Sequence, residues 1–366
     1  MPALLGTYEY EDLRALVASG GISSRTSILP TQIQPASLDL TLSNEAFRLP
    51  GSLLPLTGER VRDLAAGLAL ERLDLSKPTC LARDGVYLVR LAEALALPAG
   101  VEAYCNGKSS TGRVDLATRV LADGTPRYDR VPQGYRGELW IELIPRSFNI
   151  IVTAGVAVNQ AIVFNQRRVL DQAAMLERHR RQPLMFVGTT PSGDDHVFDG
   201  RLMMTADLDR DTIGFVAKRT HLPLDLTKVG THRSADFFEP VARATSGFLF
   251  LEQNRFYILA TRERIVVPAD LACEMVPFEA TAGEFRAHYA GFFDPGWGIR
   301  DGKPVGAPAV LEVRPHQDDL ILRHGQPICA MAYEVLTRPC ARLYGVCGNT
   351  YASQEGPRLS KHFGGP

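Results

Sequence analysis

The chain has 366 residues, with Lys+Arg 40 against Asp+Glu 41 and a formal net charge of -1. That length exceeds one typical hydrophobic core and predicts two domains, while the even charge balance excludes a general nucleic-acid binder resting on a basic surface, so any anion site has to be local. Scattered cysteines (Cys80, Cys105, Cys273, Cys329, Cys340, Cys347) without a recognisable signal peptide predict reduced thiols in a cytoplasm, and no apolar run of about 18 residues offers a membrane span.

Tyr8 to Ala18 sets Leu13, Leu16 and Val17 on one face behind Glu9, Glu11 and Asp12. This predicts a short amphipathic helix with acids at its N-terminal dipole; Gly20-Gly21 ends it. Alternation from Gln34 to Leu49 predicts the first strand, with Asp39 between two leucines as a structural acceptor. Residues 50–84 mix Pro and Gly with apolar clusters and read as loops around short strands. Val86 to Leu91 is a strand, Leu97-Pro98-Ala99-Gly100 a turn, and Val101 to Cys105 the strand it feeds.

Gly107-Lys108-Ser109-Ser110-Thr111-Gly112-Arg113 combines hydroxyls, backbone N–H groups and two cations, the chemistry of an anion cradle. It is not a Walker loop, because the lysine precedes the serines and no glycine stands five residues before it. After Gly134-Tyr135-Arg136-Gly137, the run Glu138 to Pro145 places Glu142 in an apolar strand, where a carboxylate needs a partner or a function. Arg167 to Arg181 spaces Val169, Ala173, Leu176 and His179 at helical intervals, a connecting helix, and a polar loop covers Gly188 to Gly200.

The chain then repeats. Tyr87 on Tyr257, Glu93 on Glu263, Pro98 on Pro268, Glu142 on Glu312 and Gly155 on Gly325 all give a displacement of 170 residues, which predicts a tandem duplication of one β-rich unit. At this offset Ser109-Ser110 falls on Glu279-Ala280 and Arg113 on Gly283, so the second half lacks the cradle. It keeps the hairpin Ala290-Gly291-Phe292-Phe293-Asp294-Pro295-Gly296-Trp297-Gly298, and a tail with Leu343-Tyr344-Gly345 and Tyr351 to Pro357.

Lys108-Ser109-Ser110 with Arg113, the Gly134 to Gly137 turn and Glu142, together with Gln34-Pro35-Ala36-Ser37-Leu38-Asp39-Leu40 upstream and Asn159-Gln160-Ala161-Ile162-Val163-Phe164 after Ala154-Gly155, resemble the deoxyuridine triphosphatase-like superfamily and, within it, the dCTP deaminases. The resemblance implies an all-β fold with a few short helices. It divides the chain into two tandem barrel or jelly-roll domains, residues 1–165 and 183–366, joined by a linker helix in 166–182. The implied activity is hydrolytic deamination of dCTP to dUTP and ammonia, in the supply of dUTP and dTTP.

In that reading Glu142 is the general base, held ionised by Arg113, with Ser109 and Ser110 placing water and nucleotide beside Lys108. Glu312, in the same strand context but without a local cradle, is the alternative. Asp294, Trp297, Tyr344, Tyr351 and Gln354 bind substrate. Thr350 stands where the family often has Lys, which passes the phosphate grip to Arg358 or Lys361. Family members build each site between neighbouring units of a trimer. A composite site is therefore expected, with the cradle from the first half and the hairpin and a nucleotide-ordered tail from the second, in a homo-oligomer with a trimeric arrangement of domains. Mg2+ arrives with the triphosphate, and dTTP is the expected feedback inhibitor.

Zinc is not required, since neither H-x-E nor P-C-x-x-C occurs, and Cys340, Cys347 and His362 read as unpaired tail residues. Two other readings stand beside this one. One is dUTP diphosphatase activity, alone or after deamination, because the Asp294 hairpin also resembles the diphosphatase motif. The other is a non-catalytic nucleotide sensor, because motifs are eroded in both halves.

Overall fold

The computed structural model describes residues 4–277, 291–316, 318–346 and 351–364. Glu279, Ala280, Gly283, Ala290, Cys347 and Thr350 lie outside the described residues. The chain is mainly β, as the alternating patterns imply.

In the first half the antiparallel strands Leu116–Ala122, Arg136–Pro145, Val86–Ala96, Leu38–Leu49, Ala157–Phe164, Glu102–Gly107 and Arg130–Val131 follow one another in space within a nine-stranded sheet. The sheet nearly closes on itself. Asp129 N–H donates to the Val120 carbonyl at 2.8 Å and the Asp129 carbonyl accepts from Cys105 at 3.0 Å, stitching the two ends of the row together. Leu40, Val89, Leu139, Ile141 and Leu143 fill the interior, the period-2 set that a half-buried strand must turn inward.

The second half divides most of its strands between a six-stranded and a five-stranded sheet, and its hydrogen bonds repeat those of the first half at matched positions. Tyr87 Oη accepts from Ala82 N–H at 2.9 Å, and Tyr257 Oη from Glu252 N–H at 2.9 Å. Glu93 takes the N–H and hydroxyl of Thr41 at 2.9 and 2.7 Å, while Glu263 takes those of Thr205 at 2.6 and 2.7 Å. Asp84 and Asn254 both adopt φ 62. Glu93 and Glu263 are thus structural acceptors that satisfy a buried backbone donor.

Three helices differ from expectation. The linker helix runs Gln172–Arg181, because Asp171 caps it by accepting from Ala174 N–H at 2.9 Å. Arg167, assigned to that helix from spacing, instead bonds Glu334 and Glu274 between the halves. Within the expected loops of residues 50–84 lies a helix, Val61–Leu68, whose Val61 and Ala65 pack against Trp140. The first helix, expected over Tyr8 to Ala18, shortens to Tyr10–Ala18, with Glu9 at its N-cap.

The halves interlock. Leu224–Asp225 pairs in parallel with Ile150–Ile151, Arg314 bonds Asp115, and Val310, Ile258 and Phe363 of the second half belong to the hydrophobic cluster of the first. No helix among the described residues is long and apolar enough to cross a membrane.

Candidate active site

The strand Glu102–Gly107 ends at the cradle. Lys108 is extended, and Ser109–Gly112 forms one helical turn closed by Gly112 N–H to the Lys108 carbonyl at 3.0 Å. This short turn inserts the cradle side chains into a cavity of about 210 Å3 whose other wall is the second half. Lys108 Nζ bonds the Asp39 carboxylate. Ser110 is buried, and its carbonyl accepts from Ser360 Oγ of the tail at 2.7 Å.

Arg113 is the hub. Only 3% of its side chain is exposed. The guanidinium lies 3.9 Å from the centre of the Tyr351 ring, a desolvated cation–π contact. It donates to Gln354 Oε1 at 3.1 Å and to the Arg358 carbonyl at 3.0 Å, and its Nε stands 3.9 Å from Glu312 Oε1. Among the described residues that Nε has no hydrogen-bond partner.

Glu312 comes from the strand Ala307–Val313, every residue of which is buried. Burial pushes its carboxyl from an ordinary 4.5 up to about 7, and Arg113 offsets only part of that rise. Asp294 sits in the tight turn Asp294-Pro295-Gly296-Trp297, closed by Trp297 N–H to the Asp294 carbonyl at 3.2 Å. Its Oδ1 accepts from Ala36 N–H of the first half at 2.9 Å, and burial raises its pKa to about 7. Gly296 is required there, with φ 102 and a Cβ that would meet Tyr344 N at 2.5 Å. Trp297 stacks edge-on to Phe293 at 5.0 Å and leans on Tyr344 at 5.4 Å.

The tail crosses this wall. Gln354 Nε2 donates to the Pro308 carbonyl at 2.6 Å, Tyr351 Oη accepts from Lys361 N–H at 3.0 Å, and Lys361 enters the cavity. Burial, reinforced by Lys108, lowers the Lys361 ammonium pKa. Gln34, Asp39 and Gln160 also line the cavity. Sequence reasoning quoted all three within motifs but assigned none a site role, since a motif string does not say which of its side chains faces inward.

Of the expected site residues, Gln354, Arg358 and Glu142 do not line the cavity, and the first two brace the tail on Arg113. Glu142 is buried against Arg119, with Nε–H at 2.8 Å and a second guanidinium nitrogen at 2.5 Å. Arg113, expected to hold Glu142 ionised, faces Glu312 instead. The cause is the face each strand turns outward. Glu142 is opposite Leu88 and Arg119 and shares a face with Trp140, the face that the helix Val61–Leu68 covers from within the same half. Glu312 is opposite Ile258 and shares a face with Val310, and that face presses on the first half. Cys340 Sγ contacts the Pro35 carbonyl at 3.4 Å, and His362 Nδ1 the Lys228 carbonyl at 3.1 Å, so these two make separate local contacts.

Known proteins give the same reading at the level of family. Residues 5–167 match the 2'-deoxycytidine 5'-triphosphate deaminase N-terminal domain, and residues 171–363 match the C-terminal domain of the same enzyme family. No curated protein matches the chain. Among solved structures, the crystal structure of 2'-deoxycytidine 5'-triphosphate deaminase from Agrobacterium tumefaciens is 37% identical, superposes with a TM-score of 0.85, and covers 91% of this chain and 99% of its own. The chain belongs to the 2'-deoxycytidine 5'-triphosphate deaminase family, in the form that carries N- and C-terminal deaminase domains in tandem.

Proposed function

We propose that this chain converts dCTP and water to dUTP and ammonia, and that Glu312 rather than Glu142 activates the water. The observation that carries the proposal is the meeting of Arg113 from one half with Glu312 from the other in a single cavity. A carboxylate with a pKa of about 7 can take a proton from water near neutral pH and return it, which is what general acid–base chemistry on one ring requires. Water oxygen bonds to C4 of the cytosine while N3 gains a proton. A further proton then reaches the exocyclic nitrogen, the C4–N bond breaks, and ammonia leaves.

Arg113 keeps the carboxylate beside the ring and limits how far burial raises its pKa. Ser109 and Ser110 position water and nucleotide. Lys108 and Lys361 converge on the cavity, a pair of cations that a phosphate chain would relieve, with Arg358 at the rim and Mg2+ arriving on the triphosphate as usual for nucleotides. Asp294 and Trp297 bound the end that would receive the sugar and base. The mechanism assigned here uses no zinc, on the ground that the sequence lacks the zinc-deaminase motifs.

At about 210 Å3 the cavity is smaller than the roughly 300 Å3 at which small-molecule pockets begin, so the tail has to swing away to admit dCTP and return over it. Units 1–165 and 183–366, a trimeric arrangement of them in a homo-oligomer, feedback inhibition by dTTP and a cytoplasmic setting complete the proposal. The test is incubation of the chain with dCTP and, separately, with dUTP, each with Mg2+, following ammonia and pyrophosphate in parallel. Ammonia alone supports a deaminase, both products a bifunctional enzyme, pyrophosphate from dUTP alone a diphosphatase, and neither product a sensor.

A further inference from the structure

Away from the carboxylate cavity, two larger cavities of about 540 and 770 Å3 open between the halves and meet at Arg146, Arg314 and His316. We propose that this double cleft is a second, non-catalytic site that binds the polyphosphate chain of a nucleoside triphosphate or of inorganic triphosphate.

The argument is one of charge left over after internal pairing. Arg119 is committed to Glu142, Arg314 to Asp115 and Ser147, Arg255 to Glu252, and Glu274 to Arg167. Among the described residues, what remains along the cleft is Arg83, Arg130, Arg146, Lys218 and Arg219 against one exposed carboxylate, Asp84, which lies 3.5 Å from Arg83 and 3.9 Å from Arg146. Among the described residues, Lys218 Nζ donates only to the Ala235 carbonyl, at 3.0 Å. Arg219 has no hydrogen bond or ion pair among the described residues. Asp129, at the cleft wall, is raised by burial to about 7, so at neutral pH it supplies only part of a negative charge. A chain whose formal net charge is -1 therefore concentrates an excess of cations in one concave place, where their field on an anion is focused.

The same inventory says which part of a nucleotide would be held. The aromatic faces at the cleft already carry guanidinium groups, Arg167 at 4.3 Å from the Tyr104 ring centre and Arg119 at 4.3 Å from that of Tyr128. Neither tyrosine therefore offers a base a free face, and Phe256 is buried with Arg314 6.0 Å from its ring centre. Recognition falls to guanidinium–phosphate pairs, which are strong and bidentate, and the site should be indifferent to the base.

Occupancy would be felt next door. Arg314 directly follows the strand that carries Glu312, Asp115 follows Arg113 by two residues, and the Asp115 charge contributes to the raised pKa of Glu312. The Arg314–Asp115 pair is thus shared between the cleft wall and the elements that hold the carboxylate cavity.

The test is equilibrium binding of inorganic triphosphate to the full chain, counting the classes of sites in the native chain and in variants of the cleft. The expected result is a second class of sites beside the carboxylate cavity, one that ATP, dTTP and dCTP all fill as readily as inorganic triphosphate and that weakens steeply between about 50 and about 200 mM salt. Arg130→Gln, Arg146→Gln and Arg219→Gln together should lower affinity for that class by about tenfold or more, on the scale of 1.4 kcal/mol per tenfold, while leaving basal turnover of dCTP unchanged. Should the triple variant misfold, the single charge reversal Arg219→Glu, at an exposed and unpaired side chain, carries the same expectation. A single class of sites, unchanged affinity in these variants, or preference for one base would overturn the proposal. So would tighter binding of a single-stranded oligonucleotide than of inorganic triphosphate, which would make the cleft a nucleic-acid track.

Discussion

Replacing Glu312 by Gln should remove activity and add stability, and only above a defined pH. The carboxyl is raised from 4.5 to about 7 by burial, so between those values the folded chain holds a proton that the unfolded chain has released. Folding stability then falls as pH rises through that window, because the folded state binds more protons there. At about 1.4 kcal/mol per pKa unit, a shift of roughly 2.5 units costs about 3 kcal/mol once pH exceeds 7, and costs little below pH 4.5. Gln keeps the shape without the charge. Glu312→Gln should therefore unfold at higher denaturant than the native chain at pH 8, by up to about 3 kcal/mol, and the gain should vanish near pH 4.5. Turnover should drop by about two to four orders of magnitude, the usual scale for a general base.

Glu142→Gln is the control with the opposite signature. It breaks a buried carboxylate's pair with an arginine that is 37% exposed, so the loss is discounted for solvent and comes to about 1–2 kcal/mol, with turnover of dCTP retained. Urea unfolding across the pH series and an ammonia-release assay read both. Wild-type turnover in Glu312→Gln, or loss of turnover in Glu142→Gln at pH and urea where it remains folded, would refute the assignment.

Because the base has to be ionised, kcat/KM should fall below an acid limb near pH 7; Arg113→Ala removes the cation that opposes burial and should move that limb to higher pH, visible as activity partly recovered at alkaline pH. Gln354→Ala deletes the bonds to Arg113 and to the Pro308 carbonyl; a loss of about 1.5–3 kcal/mol of tail docking should raise KM for dCTP more than it lowers kcat, with faster amide exchange over residues 351–364. Gly296→Ala forces a Cβ to within 2.5 Å of Tyr344 N at φ 102, and should cost about 1–3 kcal/mol in strain, measured as a lowered Tm together with lost dCTP binding.

Much of the architecture was legible because it rests on local periodicity and turn chemistry. The all-β class follows from alternating runs, and the duplication from one constant offset that the paired hydrogen bonds of Tyr87 and Tyr257 reproduce. The helix Val61–Leu68 was not legible, since a short helix with a glycine among prolines has no decisive period and is held by packing on Trp140. Asp39 shows a subtler limit. Its alternation marks a strand, but not that Lys108, from another segment, meets it at the cavity. The hairpin gave a usable signal that the cradle outweighed: the Asp-Pro-Gly-Trp turn stands ahead of Glu312, whereas Asp129-Arg130-Val131-Pro132 stands ahead of Glu142.

That misplaced weight has a physical root. Period-2 alternation separates the two faces of a strand but carries no information about what will cover the outer one. Leu139, Ile141 and Leu143 in one half, and Ala309, Leu311 and Val313 in the other, all point into their own barrels, so Glu142 and Glu312 are outward-facing by the same rule. A barrel that covers its outer face with its own helix leaves a carboxylate there to be satisfied by a neighbouring strand, as Arg119 satisfies Glu142. A barrel that uses that face to meet its duplicate leaves the carboxylate to be satisfied across the interface, where the partner at 3.9 Å is close enough to steady a charge and too far to quench it by a hydrogen bond. Duplication thus lets one strand motif serve two ends, and which end each copy serves is fixed by inter-domain contacts such as Val310 against the first-half core, contacts that no window of sequence around Glu312 contains.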